Sequence, residues 1–460
     1  MSRHKHSYVH RILYTVLFVV MILFASAALI LHSQAFRKYA LEKIIREAQL
    51  STGMRIEVNR MELDWHPLTI ALDGVAARNP KAITKEPLFS ASRITVILRF
   101  LPLLHRRVQI DKVDIDAPIV DMTIASNGQS NLPTLRNTRT SDNSFEAQVA
   151  LLIIRKGLIY FDDREIPLSA ELRNFHGQVV LDRATNSYNG KIVYDKGRIE
   201  TANVRTFEHA AELHFAADAT HCVVQHLDLS VLHSRLSAQG ELSDYGNPAF
   251  TGNYQGQVSG EDLRWITKNA SIPMGDFVLK GAIAYRSSQG ETFFDRAYVN
   301  GNLQSASLIV PAGQARIPVK AIQSTYRLER GYLYVDELRA EAFGGRVASE
   351  SDVINVRASG GRVQLAIRGA SVQQASKEFV GSSAQTVEVT GSADVNVAAT
   401  WKDDIRSADV RAHAMIRSPN GASPSKGLVP VDGEVDVDYD AARDRASFRP
   451  SSDACPPYRP

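Results

Sequence analysis

The side chains best suited to chemistry in this sequence are five histidines that surround one cysteine. The histidines are His209, His214, His221, His226 and His233, and the cysteine is Cys222. Their separations of five, seven, five and seven residues match neither the histidine pair of a zinc-binding helix nor a Cys-x-x-Cys clip. The flanking residues alternate as in strands, which directs several of the rings to water. The sequence therefore predicts no metal site and no other cofactor.

Carboxylates also occur in pairs and in one row. Glu434, Asp436, Asp438 and Asp440 alternate along one segment. A strand spreads such side chains along a line, so we interpret the row as a solvated strand face rather than a calcium site, whose ligands must converge. Glycoside hydrolysis needs two carboxyl groups at a defined distance from each other, and the sequence does not determine that distance for Asp114 and Asp116. No Gly-x-Ser-x-Gly elbow or Walker motif occurs. We predict no catalytic residues and no enzymatic activity.

The overall composition is that of an ordinary folded chain. The 460 residues include 53 basic and 50 acidic side chains, a formal net charge of +3. A nucleic-acid footprint requires clustered basic charge, so this balance argues against a nucleic-acid partner. The two cysteines, Cys222 and Cys455, are too few for a disulfide framework. Stability must come from strand pairing and burial.

The amino-terminal segment is apolar enough to cross a bilayer. Residues 12–35 carry no charged side chain, and about twenty helical residues rise about 30 Å. The basic residues and histidines of residues 1–11 favour a cytoplasmic amino terminus. Ala25-Ser26-Ala27 has the form of a cleavage site, so a cleaved signal peptide is the alternative. An apolar face at helical spacing then predicts a connector helix over 36–52 that ends at Gly53.

From Met54 onward the hydrophobic period is two. Each alternating run predicts a strand with one apolar and one polar face. The sequence thus predicts a mainly β fold, an elongated antiparallel meander, with short helices near 262–269 and 372–380. Glycine-containing dipeptides predict tight turns between the strands. They are Asp73-Gly74, Asn127-Gly128, Asn189-Gly190, Lys196-Gly197, Asn300-Gly301 and Gly344-Gly345.

The segment 92–132 carries motifs that resemble the AsmA-like family, which includes TamB-type proteins. The matching elements are a leucine-rich basic bend at 101–107, Asp116-Ala117-Pro118, an Asn127-Gly128 turn before Asn131-Leu132, and the segment 155–163. The resemblance is strong over residues 50–165 and continues beyond them as a pattern of short strands. TamB-type proteins are much longer, and the chain has no recognisable counterpart of their carboxy-terminal module.

The resemblance implies an inner-membrane-anchored periplasmic protein that acts in outer-membrane biogenesis. Family members are thought to form an open, taco-shaped sheet, the β-taco, with an apolar groove. Such a groove would conduct phospholipid or assist outer-membrane protein assembly and secretion. The implied partners are membrane phospholipids and an outer-membrane β-barrel protein. The domains expected are 1–11 cytoplasmic, 12–35 transmembrane anchor, 36–52 connector helix, 53–165 AsmA-like β region, 166–418 repetitive β groove, and 419–460 linker, last strand and irregular tail.

Nine apolar residues at alternating positions are the candidate lining of this groove. Burial of apolar surface contributes about 25 cal/mol per Å², so a lipid tail would prefer the groove to water. The same alternation fits the closed core of a membrane-tethered structural or adhesive protein with no transport role. A glycan-processing enzyme with converging carboxylates is a third reading. The nine residues are Ile70, Leu72, Ile94, Val96, Leu229, Leu365, Ile367, Val395 and Val397.

Overall fold

The computed structural model shows a mainly β protein whose first described element is a helix. Residues 34–450 are described, apart from 66, 81, 83–85, 100–108, 127–128, 132–147, 165–167, 203, 246, 288–292, 313–314, 359, 381–387, 404–406, 419–427 and 444. Residues 1–11 and nearly all of the predicted anchor, 12–35, thus lie outside the described residues. Within the described part of the chain, no helix has the length and hydropathy needed to span a membrane.

Helix α1 occupies Gln34–Thr52, where the sequence predicts the connector helix. It ends at Gly53, whose φ of +67° is favourable for glycine alone and whose N–H donates to Gln49 O at 2.9 Å. The Gln49 side chain in turn donates to the backbone oxygen of Ile56 at 3.3 Å. The helix is therefore attached to the first strand at its carboxyl end.

The strands fall into two compact units, of which the first holds the described residues up to Asn186 and Ile192–Ile199. The first four strands pair antiparallel in sequence order, and β6 lies between β4 and β7. The strands are β1 (Arg55–Trp65), β2 (Leu68–Arg78), β3 (Phe89–Leu98), β4 (Gln109–Ile124), β5 (Gln148–Val149), β6 (Leu151–Asp163) and β7 (Leu168–Asp182). β8 (Ser187–Thr201) contributes residues to both units.

The pairing of β4 corrects the prediction of a purely antiparallel meander. β4 runs parallel to β5 and β6, with Val113 opposite Leu152 and Ile124 opposite Asp163. Two parallel strands need a crossover of about a dozen residues or more. The long connection between β4 and β6 provides it, and periodicity within each strand carries no information on the direction of its neighbour.

The strands of the first unit change their apolar phase along one line across the sheet. Apolar positions that are otherwise two residues apart are three apart where the backbone takes a positive φ. One residue with a positive φ occurs in each of β2, β4, β6 and β7. The positive-φ residues of β4 and β6 are neighbours, because the register pairs Asp116 with Arg155 just before them. A left-handed residue disrupts strand alternation as a bulge does, so the pattern resumes one residue later. The four residues are Gly74 (φ +61°), Ala117 (+47°), Lys156 (+54°) and Asn174 (+52°).

The second unit comprises Ser187–Lys191 and the described residues from Glu200 onward. Apart from β19 and β22, which pair parallel with each other, its strands from β9 onward pair antiparallel in sequence order. They are β9 (Phe207–Ala217), β10 (His221–Val231), β11 (Ser234–Ser243), β12 (Ala249–Ser259), β13 (Asp276–Arg286), β14 (Tyr298–Ala312), β15 (Ala315–Glu329), β16 (Tyr332–Ala342), β17 (Gly345–Asn355), β18 (Gly361–Ser371), β19 (Glu388–Thr390), β20 (Ser392–Trp401), β21 (Asp409–Arg417), β22 (Leu428–Pro430), β23 (Gly433–Asp440) and β24 (Arg445–Pro450).

Three short helices interrupt this unit, two of them at the positions that the sequence predicts. They are α2 (Gly260–Thr267), α3 (Phe293–Arg296) and α4 (Val372–Val380). Helix α2 begins after Ser259, whose hydroxyl accepts from the Asp262 N–H. Helix α4 contacts β15 and β18, and the ring centroids of Phe343 and Phe379 are 6.0 Å apart.

Most of the dipeptides predicted to be turns lie inside strands instead. Asp73-Gly74 is within β2, both Asn189-Gly190 and Lys196-Gly197 are within β8, and Asn300-Gly301 is within β14. Gly344-Gly345 does connect β16 to β17, and Asn127-Gly128 lies outside the described residues. The interior glycines serve other purposes, because Gly74 marks a phase change and Gly301 lies beneath tyrosine side chains. Those turn predictions were wrong.

The core is small and built mainly from small side chains. Among the described residues, no side chain is less than 2% exposed, and ten of the sixteen buried apolar residues are alanines. The clearest cluster, in the second unit, contains Leu308, Ile322, Ala340, Ala342 and Val347. A closed core would enclose its large aliphatic side chains, so the described strand faces are not sealed by a second layer.

Candidate functional site

The most continuous apolar surface of the first unit consists of two parallel rows across β1, β2, β3, β4, β6 and β7. Residues directly opposite each other in paired strands share a face, so the register defines the rows. The four candidate residues of this unit lie in them side by side, with Ile70 opposite Val96 and Leu72 opposite Ile94. The rows are Leu63–Ile70–Val96–Val113–Leu152–Val179 and Met61–Leu72–Ile94–Ile115–Ile154–Gly177.

These rows are half-buried rather than enclosed. Every aliphatic side chain in them has intermediate exposure. Six strands about 4.8 Å apart give a face of roughly 24 Å across. One leaflet of a bilayer contributes about half of the roughly 30 Å hydrocarbon core, so the face exceeds the depth that one acyl chain occupies in a membrane. An acyl chain could therefore lie across the rows over its whole length.

The opposite face of the same strands carries a ladder of alternating charge. Register places Arg60, Asp73, Arg93, Asp116 and Arg155 in one row across five strands. Arg93 contacts carboxylates on two strands, at 3.1 Å from Asp73 and 2.9 Å from Glu62. A register slip of one residue would bring this ladder to the apolar side, so the charges and the aliphatic rows specify the same pairing.

In the second unit an apolar row runs without a break in register from β9 to β20. It consists of Phe215, Val224, Gly240, Gly252, Ile283, Val299, Leu328, Leu333, Ile354, Gly361 and Trp401. The remaining candidates extend this pattern. Leu229 lies opposite Ala211 and Leu236, and Leu365 lies opposite Val397. Ile367 lies opposite Val395.

Two of the candidate residues have a structural role as well. Leu365 and Ile367 pack against the buried cluster around Val347. Both remain half-buried, as do Val395 and Val397 on the next strand. The candidate residues therefore form two separate groups, a half-buried group in the first unit and a group beside a small core in the second.

Two tyrosine hydroxyls form a polar contact on the apolar face of the second unit. Tyr254 and Tyr326 project over Gly281 and Gly301, and their hydroxyl oxygens are 2.5 Å apart. A Cβ atom on Gly301 would lie 2.8 Å from the Tyr326 hydroxyl, so glycine is what admits the rings. Burial raises the pKa of both tyrosines, and the hydroxyls stay protonated. We call this contact the tyrosine bridge.

Sequence reasoning missed the tyrosine bridge because its members are far apart in the chain. The available signal was that Gly281 and Gly301 interrupt two otherwise regular strands, which suggests close approach by another group. The bridging residue could not be identified without the register of four strands.

The five histidines do not form one site. The structure brings together only His214 and His226, whose ring centroids are 6.5 Å apart, and each ring bonds a carboxylate of its own strand at 2.7 Å. His233 instead contacts Asp262 at 2.9 Å. No group of three potential metal ligands occurs among the described residues. Cys222 is half-buried, and burial raises its pKa.

Three of the carboxylates singled out in the sequence pair with basic side chains on the same or a neighbouring strand. Asp114 lies 2.8 Å from Lys112 and 2.7 Å from Arg155. In the acidic row, Asp436 is 2.8 Å from His413 and Asp438 is 3.3 Å from Arg449. Each of these three carboxylates thus has its own partners, whereas a glycosidase needs two facing carboxyl groups across a cleft. The row is a paired, solvated strand face.

Comparison with known families identifies the amino-terminal part of the chain. Residues 4–228 match the sequence model of the AsmA family, which is associated with the bacterial envelope and outer-membrane biogenesis. The amino-terminal part of the chain is thus similar to the AsmA family, over just under half of the chain. The AsmA match covers all of β1 to β7, which carry the open apolar rows, and extends into β10. No curated protein and no solved structure matches the chain.

Proposed function

We propose that the protein conducts phospholipid through the bacterial envelope, with the acyl chains lying on the apolar rows of its sheets. The supporting observation is the pair of half-buried aliphatic rows that crosses six strands of the AsmA region. In this proposal residues 12–35 anchor the chain in the inner membrane and the β units lie in the periplasm. The protein performs no covalent chemistry and acts by binding alone.

The free energy of binding an acyl chain to such an open surface is moderate, which suits transfer of a lipid rather than its storage. Burying a methylene contributes about 0.8 kcal/mol, so an acyl chain of about fifteen methylenes would gain about 12 kcal/mol if fully enclosed. An open face covers roughly one side of the chain and would contribute about half of that value. The ligand is then held against water but can still leave for a membrane. The headgroup needs no dedicated site, because it remains hydrated beyond the edge of the rows.

The partners of this function are membrane phospholipids at the donor side and an outer-membrane β-barrel protein at the receiving side. If the cargo is an unfolded polypeptide strand rather than a lipid, the protein would instead assist the assembly or secretion of outer-membrane proteins. The motifs shared with TamB-type proteins support that form. The alternative of a structural or adhesive protein with a closed core is less well supported, since large aliphatic residues of the rows remain half-exposed.

Site-specific photocrosslinking tests the proposal on two adjacent residues. A photoreactive phenylalanine analogue is incorporated at Ile94, in the apolar rows, and in a second variant at Thr95. Thr95 lies on the other face of the sheet, paired with Ala71 on β2 and Asp114 on β4. The full chain is irradiated in cells, purified and analysed by mass spectrometry for phospholipid adducts. We expect adducts at position 94 and only background at 95. Equal labelling at the two positions, or no lipid adduct at 94, would contradict the proposal.

Crosslinking also separates the two cargos. Adducts of lipid mass at position 94 support conduction of phospholipid, and adducts of polypeptide mass at the same position would replace it with the secretion role. Lipid mass spectrometry of the purified, uncrosslinked chain provides the independent measure, with copurifying phospholipid as the expected result.

A further inference from the structure

The polar face of β11 to β15 is rich in primary amide side chains. Register aligns its outward side chains into three rows. Seven of these side chains are exposed primary amides, and the charged residues in the rows are Arg235, Lys280 and Arg327. We call the seven the amide patch: Gln239, Asn253, Gln255, Asn300, Asn302, Gln304 and Gln323.

The amides of the patch are free to bind a ligand. Within the part of the chain that the structure describes, none of the seven side chains bonds to another protein group, whereas Gln257 in the same rows donates to Asp276 at 2.8 Å. Polar faces elsewhere consist of ion pairs, as in the ladder around Arg93 and the pairs of His413 and Asp438. Ion pairs of this kind are sufficient to keep a sheet face soluble, so solubility alone does not account for a group of unpaired amides.

The patch has a shape as well as a composition. Five of its members line a depression of about 710 Å³ that also includes Lys280, and Gln304 and Gln323 line a neighbouring depression of about 740 Å³. The strand and residue spacings give the patch an extent of roughly 19 by 13 Å. Tyr298, 41% exposed, borders the patch together with Gln239 and Asn253. The surface thus offers a long shallow seat with an aromatic side chain at its margin.

We propose that the amide patch binds an uncharged glycan chain. Each amide presents one acceptor and two donor hydrogens, which match hydroxyl and acetamido groups that both donate and accept. Tyr298 supplies a flat surface for the apolar side of a sugar ring. Phosphorylated or sulfated ligands would need clustered Arg or Lys. Here Arg235, Lys280 and Arg327 lie in three different rows on non-adjacent strands, and Arg327 is paired with Glu329 and Asp336. Protein interfaces rely on aromatic, Met and Arg side chains rather than exposed amides.

The glycan site is on the opposite sheet face from the apolar row of the second unit. Asn253 and Gln255 alternate along β12 with Tyr254, which belongs to the tyrosine bridge. The site is therefore independent of lipid binding, and a variant that loses one activity should retain the other. In the periplasm, a sheet that binds glycan on one face and lipid on the other could be held in place while lipid passes.

Titration with uncharged oligosaccharides tests this proposal. The full-length protein in detergent is titrated calorimetrically with hexamers of N-acetylglucosamine, β-linked glucose and mannose, and with dextran sulfate as the charged control. We expect at least one neutral hexamer to bind, with an affinity that does not depend on salt. The double variant Asn253→Ala, Gln255→Ala should bind that hexamer at least tenfold more weakly, and Asn300→Ala, Asn302→Ala on β14 should reproduce the loss.

The matched control changes two outward neighbours on another strand, Arg362→Ala with Gln364→Ala on β18, and should bind as the unmodified chain does. Equal unfolding temperatures of the variants show that the comparison is one of binding. Failure of all three neutral hexamers to bind at millimolar concentration overturns the proposal. So does binding to dextran sulfate alone, or an equal loss of affinity in the β18 control.

Discussion

A lysine at position 94 places a positive charge in the middle of the apolar rows of the first unit. Ile94 lies opposite Leu72 on one side and Ile115 on the other, and all three side chains are half-buried. In the unmodified chain an acyl chain would cross this point without meeting a polar group. The substitution interrupts the row of Ile94 near its centre, beside Val96 of the other row, and leaves the ends of both rows unchanged.

The size of the effect follows from the strand spacing. A lysine side chain and its hydration shell would exclude the ligand over about two strand spacings, roughly 10 Å. That length of an extended acyl chain holds about eight methylenes, and an open face contributes about half of 0.8 kcal/mol for each, so the lost burial is about 3 kcal/mol. Since about 1.4 kcal/mol corresponds to a tenfold change, binding should weaken on the order of 100-fold. Snorkelling of the lysine would reduce this value but not reverse its sign.

The matched control is Thr95→Lys, one residue further along the same strand. Thr95 lies opposite Asp114, so a lysine there faces a carboxylate on the charged side of the sheet. The assay measures the amount of phospholipid that stays bound to each purified full-length variant, with thermal unfolding as the check on folding. We expect a strong loss in Ile94→Lys and little change in Thr95→Lys. If the two variants retain lipid equally, or if Thr95→Lys loses more, the assignment of the lipid-binding face is wrong.

Four further predictions concern stability and its dependence on pH. Tyr254→Phe leaves the Tyr326 hydroxyl without its partner and should lower the free energy of unfolding by about 1 kcal/mol in chemical denaturation. Arg93→Glu should lower Tm more than Arg60→Glu does, because Arg93 has Asp73 and Asp116 on either side, and added salt should reduce the difference. Asp262→Asn should cost about 2 kcal/mol, since the nearly buried carboxylate accepts from both backbone N–H groups and both side chains of His233 and Ser234. Burial alone would raise the pKa of Asp262, but these hydrogen bonds together lower it, so its contribution is present above about pH 4 and is lost as pH falls through the lowered value. The hydrogen bond to Asp262 raises the pKa of His233, so that contribution is complete below about pH 6.5 and declines as pH rises through the raised value. His233→Gln should remove the decline at higher pH in a series of Tm measurements.

Alternation along a strand was enough to group side chains by face. Ile70 with Leu72, and Ile94 with Val96, are two residues apart in sequence, and the structure places all four in adjoining rows. The short helices were also predictable, because the spacing of the apolar residues in 372–380 is local information. Local pattern therefore determined which residues share a face and where helices interrupt the strands.

Relations between strands were not predictable in the same way. Gly74 has the sequence context of a hairpin turn, yet its positive φ shifts the phase of β2 without ending the strand. The contact of His214 with His226 depends on a register shift between β9 and β10. The amide patch was visible in part, since Asn253 and Gln255 alternate along β12 as Asn300 and Asn302 do along β14. Its assembly into one surface needed the pairing of both strands with β13.

Strand order in the second unit also determines how the number of strands in such a sheet can change during evolution. Between β9 and β18, every two strands that are consecutive in the chain pair with each other. Duplicating or deleting one whole hairpin would lengthen or shorten this array by about 10 Å and leave most remaining pairings unchanged. Gain or loss of a single strand would reverse the direction of everything downstream, so length should vary in steps of two.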